Sequence, residues 1–389
     1  VSNQTPFRGI PFLGVAYGFD AYDLTVGFAA YGPHGAAYDY GTHDYAAALN
    51  QSQRYSIISS QSVEANYQLG VGLSPLPGLR IGGAVTIYQT KSSQYLHIYA
   101  NTVLTPFAEN ISTNPRLARL GLAFDIPVQI DFERAVAFDW SLGASYEIVS
   151  GLVAGASVRG KRSVRADGTL AAEVPEVLSQ SGISVVDGGG PVEVEFDLPA
   201  LARFGLSYRM PETFGVEVAV VYEGWSVHDQ IKIRADDVRL DVNGATSALG
   251  TLTLERRWND TVSIRAAVDL EILDPELGVT AGYFFEPSAI PTQRLHASTF
   301  DLDKHGVAIG LRTERWGVRV DLVAQHVFMM STTVSDSLVE MPAVLDPKTA
   351  ADPAAVGADQ FLTRIGNGRY SGGVTMLTAA ISASFDELL

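Results

Sequence analysis

Between Phe204 and Trp225 the chain reads FGLSYRM, then PETF, then GVEVAVVYEGW. Phe204, Leu206 and Tyr208 alternate with Gly205, Ser207 and Arg209. After the turn at Pro211, Val216, Val218, Val220 and Tyr222 alternate with Glu217, Ala219, Val221 and Glu223. A period of two predicts β-strand, because successive Cβ atoms point to opposite faces. Two such runs joined by a short turn predict an antiparallel hairpin. One face is apolar with aromatics near the turn, and the other carries Arg, Glu, Ser and Gly. That division suits a soluble sandwich, and it equally suits a wall with lipid on one side and a lumen on the other.

The same alternation recurs along the chain, at residues 11–19, 22–31, 63–71, 79–87, 138–146, 152–158, 262–270, 279–285, 307–311, 318–324 and 377–385. Connections between these runs alternate short and long. Short turns fall at 20–21, 75–78, 149–151, 274–276 and 314–316. Long polar or Gly-rich segments cover 32–53, 88–123, 164–191 and 333–368. Within them, short helices are expected around 103–111, 115–120 and 171–179, with Gly188, Gly189 and Gly190 flexible. Tyr17, Phe19, Tyr22, Tyr146, Trp316 and Phe385 sit near strand ends, where amphipathic rings settle at headgroup level. Alternating loop lengths and apolar faces deep enough for a tilted strand of roughly 9–11 residues to cross a bilayer predict an all-β fold. It is a transmembrane antiparallel β-barrel. A propeller is disfavoured by the absence of a blade-length repeat.

About thirteen strands are read from the sequence, whereas single-chain bacterial barrels usually have an even number. The expectation is fourteen, with one strand outside residues 1–389 and those residues forming one barrel domain.

Composition narrows the function. Of 389 residues 47% are hydrophobic and 18% charged, with a net charge of −16 and no cysteine. The acidic balance argues against nucleic acid, which needs clustered Lys and Arg. Without cysteine there are no disulfides and no thiolate metal sites. No apolar run reaches the length of a helical span.

Particular stretches carry a resemblance: FGLSYR at Phe204 with EGWS at Glu223, AGYFFEPS at Ala281 with Ile290-Pro291, and DKH at Asp303. In their order and spacing these stretches resemble the FadL family of outer-membrane transporters for long-chain fatty acids and other hydrophobic compounds. The resemblance implies a location in the bacterial outer membrane, among lipid and lipopolysaccharide. It implies fatty acids or similar hydrophobic small molecules as partners, and passive uptake with release sideways through the barrel wall. The family's N-terminal hatch, with its Asn-Pro-Ala signature, has no counterpart in residues 1–389. By family order, the apolar external residues Val103, Leu104, Phe107, Ile111, Leu117, Val174, Val177 and Leu178 are expected to make a ligand entrance groove. Gly27, Gly32 and Pro33 mark the strand expected to open the wall.

No catalytic residue, metal site or cofactor is expected. The seven histidines show no ligand spacing, and no nucleophile elbow or phosphate loop occurs. Inward Arg80, Arg159, Arg209, Arg265, Arg312 and Arg319 are expected to face Glu64, Asp139, Glu217, Asp269 and Asp321 as a cross-strand ion-pair ladder, with one Arg free to take a carboxylate. Two alternatives remain at this level. One is a general porin, and the other a barrel scaffold that binds a partner protein.

Overall fold

The computed structural model describes residues 3–4, 9–19, 23–32, 37–41, 53, 55–99, 125–180, 182–211, 213–242, 244–273, 276–339 and 364–384. Thirteen strands form the wall, and each sequence alternation above falls on one of them. They are β1 (Phe12–Phe19), β2 (Leu24–Tyr31), β4 (Ser59–Leu76), β5 (Leu79–Tyr99), β6 (Asp125–Val149), β7 (Leu152–Arg159), β11 (Leu201–Met210), β12 (Phe214–Glu223), β15 (Thr261–Leu273), β16 (Leu277–Glu286), β17 (Lys304–Arg315), β18 (Val318–Val334) and β19 (Gly368–Ala383). Each pairs antiparallel with the next in that order. Among the described residues β1 has no second ladder beyond β2, and β19 none beyond β18. These two edge strands run in the same direction and cannot share an antiparallel ladder.

At the short-turn end the chain reverses within a few residues. Gly78 and Gly151 hold φ of 77° and 81°, a region that costs a side-chain-bearing residue energy. A Cβ on Gly151 would also stand 2.4 Å from the Arg209 carbonyl.

The wall's exposed face decides its surroundings. Val218 is 53% exposed, Ile309 61% and Ile381 77%, each at an alternate position whose neighbours along the strand are small or polar. A contiguous apolar surface of this size is untenable in water, and it is what a strand in lipid requires.

Six further strands stand beyond the long-loop end: β3 (Ala37–Asp39), β8 (Arg162–Ala172), β9 (Ile183–Val185), β10 (Gly189–Leu198), β13 (Gln230–Val242) and β14 (Ala245–Glu255). β8, β10, β13 and β14 pair in sequence with the upper part of β6, so the wall continues upward as an external sheet. Here the burial logic inverts. Val164, Leu170, Val194 and Ile233 are buried in one apolar cluster with Val128, Ile130 and Leu240. The opposite face is charged, with Arg234 paired to Glu193 (2.7 Å) and Glu195 (3.2 Å), and Arg165 to Glu195 (3.3 Å). Apolar side chains point outward below this boundary and inward above it. A register shift between Thr90 and Ser92, opposite residues 132–135, is the bulge that switches β6 from one pattern to the other.

The segment 164–191 departs from expectation. Val164, Ala166 and Leu170 alternate with Arg165, Asp167 and Thr169, and this period of two makes β8. The helix expected at 171–179 is confined to Glu176–Ser179 (α1), Val186–Gly188 form a single 3-10 turn, and Gly189 and Gly190 lie within β10. The helices expected at 103–111 and 115–120 lie outside the described residues.

The lipid-facing assignment predicts that Val218→Lys costs about 2–4 kcal/mol near the bilayer midplane, whereas the inward Ala219→Ser is nearly neutral. Denaturant unfolding of the protein reconstituted in lipid vesicles measures both. Equal effects would contradict the assigned faces.

Candidate functional site

Strand register turns the lumenal face into a map, because residues directly opposite across a ladder share a face. Two inward rows can be followed around the wall. The first runs Ala16, Gly27, Gly70, Ala84, Ser141 and then Arg159. The second runs Gly18, Thr25, Gly72, Gly82, Gly143, Ser157 and then Arg203. From β1 to β6 these two rows therefore carry little side-chain bulk, between bulkier lumenal rows that hold Asn66, Gln68 and Tyr88 on one side and Arg80 on the other.

Across β11 to β18 the same face is charged. Arg209 reaches Asp269 (3.0 Å) and Glu271 (3.4 Å), and Arg312 also bonds Glu271. Higher up, Glu286 takes Arg265 (3.2 Å) and Lys304 (3.0 Å). This is the ion-pair ladder expected from sequence, with different pairings. Asp139 pairs with Arg162, whose Nε donates at 2.9 Å, and not with an arginine of the ladder. The Arg162 guanidinium also lies over the Tyr88 ring, 4.3 Å from its centroid. The pair is buried at the fork where β7 gives way to β8, so it pins the wall to the external sheet. Removing either partner of such a pair leaves an uncompensated buried charge.

That arrangement leaves two arginines over. Arg159 and Arg203 form no hydrogen bond or ion pair with any described residue. They are diagonal neighbours, since Arg159 lies opposite Leu201. Such neighbours stand roughly 7–8 Å apart across a sheet. Glu223, diagonal to Arg203 on β12, accepts the Trp225 Nε1–H at 3.0 Å. Two guanidinium groups without an ion pair among the described residues thus stand at neighbouring lumenal positions, beside the Glu223 carboxylate.

Above them, the loops joining wall to external sheet pack around aromatic rings. His228 packs at a tilt against Trp258 (4.5 Å between centroids, 56° between planes), and Trp225 lies 4.9 Å from Trp258. His228 Nδ1 donates to the Asp197 carbonyl at 2.8 Å. In the loop between β16 and β17, His296 is buried, with Nε2 accepting from Arg256 at 3.0 Å and Nδ1 2.8 Å from Ser298 Oγ. Burial holds the His296 imidazole well below its usual value, and the adjacent Arg256 charge adds to this. Burial also lowers Arg256 to about 10.

The residues singled out by sequence fare unevenly. Val103, Leu104, Phe107, Ile111, Leu117 and Pro33 lie outside the described residues. Val177 and Leu178 fall in α1, and Val174 packs against the apolar cluster of the external sheet. Gly27 stands in an intact ladder, opposite Ala16 on one side and Gly70 on the other. Among the described residues the β2–β4 ladder is followed to Tyr31–Asn66 and the β3–β4 ladder from Ala37–Gln61, one residue out of step. Gly32 stays in register with β1, its N–H donating to the Pro11 carbonyl at 3.2 Å, one step beyond the Phe12–Tyr31 pair. Sequence reading passed over the β13–β14 hairpin. Its signal was Asn243-Gly244 between alternating runs, the strongest short hairpin cue.

A family model described as outer membrane protein transport protein (OMPP1/FadL/TodX) matches residues 6–355. Among solved structures, a Pseudomonas aeruginosa FadL homologue superposes with a TM-score of 0.65 at 10% identity, covering 96% of this chain and 76% of that one. The Pseudomonas putida toluene transporter TodX gives 0.60 at 16%, covering 96% and 82%. The Ralstonia pickettii toluene transporter TbuX gives 0.57 at 14%, covering 82% and 76%. Likeness at these identities establishes the shared fold. No curated protein sequence matches the chain.

The His296 site predicts a pH dependence. A histidine whose folded value lies below its unfolded value of 6.5 contributes its full stability above that pH. The contribution declines as pH falls below it, because only the unfolded form then binds the proton. Protection factors for hydrogen exchange in residues 287–303, which are referred to the intrinsic exchange rate at each pH, are therefore expected to fall between neutral pH and pH 5, and His296→Gln to flatten that response. A wild-type loop insensitive to acid would contradict it.

Proposed function

The chain belongs to the outer membrane protein transport protein (OMPP1/FadL/TodX) family, and from that premise we propose that it takes up long-chain fatty acids. Membership makes it a bacterial outer-membrane barrel that passes hydrophobic compounds and is not an enzyme. The observation favouring a fatty acid over a neutral hydrocarbon is the pair Arg159 and Arg203. A neutral ring offers a guanidinium group only the weak attraction of its π face, whereas a carboxylate binds both groups through charge-assisted hydrogen bonds.

The rest of the route follows from solvation. Each CH₂ gains about 0.8 kcal/mol on leaving water, so a long chain needs apolar surface at every stage. The external residues Val103, Leu104, Phe107, Ile111, Leu117, Val174, Val177 and Leu178 are the entrance. Farther down the lumen, Arg209, Asp269, Glu271 and Arg312 make the inner end a poor place for hydrocarbon. The wall around Gly27, Gly32 and Pro33 is the exit. The one-residue change of register along β4 between Tyr31–Asn66 and Ala37–Gln61 supports an opening at Gly32 and above, because a strand is released at least cost where its pairing is irregular. Gly27 then acts from below, as a point of small bulk.

Removing a charge-assisted hydrogen bond costs about 1.5–3 kcal/mol. Arg159→Ala and Arg203→Ala are thus each expected to weaken oleate binding by about tenfold to a hundredfold, and toluene uptake is expected to be unchanged. Binding of radiolabelled oleate to the purified protein, with uptake of oleate and toluene by cells producing the full-length chain, tests this. Transport of toluene alone would replace the fatty-acid reading with an aromatic-hydrocarbon one.

A further inference from the structure

Above the wall, in the connection between β14 and β15, Arg256 is a buried cation with no acid to neutralise it. It is 8% exposed and forms no ion pair with any described residue. Nη1 donates to His296 Nε2 at 3.0 Å and to Thr299 Oγ1 at 3.5 Å. Nε is buried with no hydrogen-bond partner, and Nη2 has none among the described residues. Burial lowers the guanidinium to about 10, and no carboxylate offsets it. At neutral pH the side chain therefore keeps its charge. Taking a charge out of water is strongly unfavourable unless a counter-charge accompanies it.

The acids of the surrounding connections are engaged elsewhere. Glu255 turns outward, to Arg294 at 3.0 Å and Arg257 at 3.4 Å. Asp260 accepts from the Tyr222 hydroxyl at 2.6 Å and from the Ser226 N–H at 2.8 Å. Asp301 holds Lys304 at 2.6 Å, and Asp303 accepts the Ser288 N–H at 2.8 Å. Asp229 offers its carbonyl, which accepts the Arg256 N–H at 2.6 Å. The titratable groups beside Arg256 are instead imidazoles, His296 and His228. Burial lowers both, and the Arg256 charge lowers each further. Three connections thus meet at one cation: β12–β13 through His228, β14–β15 through Arg256, and β16–β17 through His296 and Thr299.

We propose that Arg256 binds a small inorganic anion of the halide class, and that this counter-ion locks the three connections together. A buried polar group without a protein partner is met in native folds by an ordered water or an ion. Of these, only an anion also answers the charge. Nε is covered by protein, so Nη2 is the donor left for the ligand. The burial of Arg256 sets the ligand's size, because a monatomic anion fits at one donor, whereas a bulky organic anion would have to part the loops. An anion held only by the folded loops stabilises them by mass action. The site is independent of what the barrel transports.

Hydrogen exchange of the full-length protein tests this, at constant neutral pH and ionic strength in sodium chloride, sodium gluconate or sodium acetate. Protection factors in residues 224–229, 256–260 and 287–303 are expected to be about tenfold higher in chloride than in gluconate, the ratio for chloride at about ten times its dissociation constant. Arg256→Met is expected to abolish the difference. Arg257→Met, which alters a side chain that is 63% exposed, is expected to retain it. Equal protection in chloride and gluconate would overturn the site, as would a difference that survives in Arg256→Met. Protection by acetate and not by chloride would overturn the halide and give Arg256 to a carboxylate. Heat-modifiable migration on gels reports whether each barrel has assembled. If Arg256→Met does not assemble, bromide-soaked crystals of the wild-type protein decide. An anomalous peak within hydrogen-bond reach of Nη2 supports the site, and no peak there overturns it.

Discussion

A peptide N–H or C=O facing hydrocarbon without a partner costs several kcal/mol, and the wall of this protein is organised by the need to avoid that. Every wall strand except the two edges is bonded on both sides. The side chains are then free to differ completely between faces, because the backbone takes nothing from them. Outward positions such as Val218, Ile264 and Ile309 answer to lipid. Inward positions such as Gly205, Ser207 and Asp269 answer to the lumen.

The membrane boundary is legible in the coordinates as the place where that rule changes sign. Below it, leucine and valine are exposed to lipid. Above it, Val164, Val194 and Ile233 turn inward, and Arg165, Glu195 and Arg234 face water. One continuous ladder serves both environments because a bulge shifts the parity of β6, and because the Arg162–Asp139 pair holds the fork between β7 and β8. The wall thereby continues upward out of the bilayer around a buried apolar cluster.

Within the lumen the two halves of the wall divide the work. Across β11 to β18, arginines and carboxylates neutralise one another, and their mutual bonds leave little free charge to bind a ligand. Asp139, the acid that might have neutralised Arg159, is engaged by Arg162 at the fork. Arg159 and Arg203 are left without an ion pair among the described residues, beside the two rows of small residues. A structural requirement at the rim thus decides which arginines of the lumen stay out of the ladder.

The sequence by itself determined the strand character, the two faces and the alternation of short and long connections. These depend on side-chain parity and on turn residues, which are local. Phe204 to Trp225 was readable for that reason, and so was the wall position of Gly27. The external sheet was largely missed. Its strands β8, β10, β13 and β14 are stabilised by burial against one another, and Val192, Val194, Ile231 and Ile233 are too short a signal alone. Only the tertiary structure decided which arginine pairs with which acid, because the strand stagger brings together residues as distant as Arg209 and Asp269. It alone aligned Gly27 with Gly70 and Gly72 with Gly82 into one band, because a row across a sheet exists only once the register between strands is fixed.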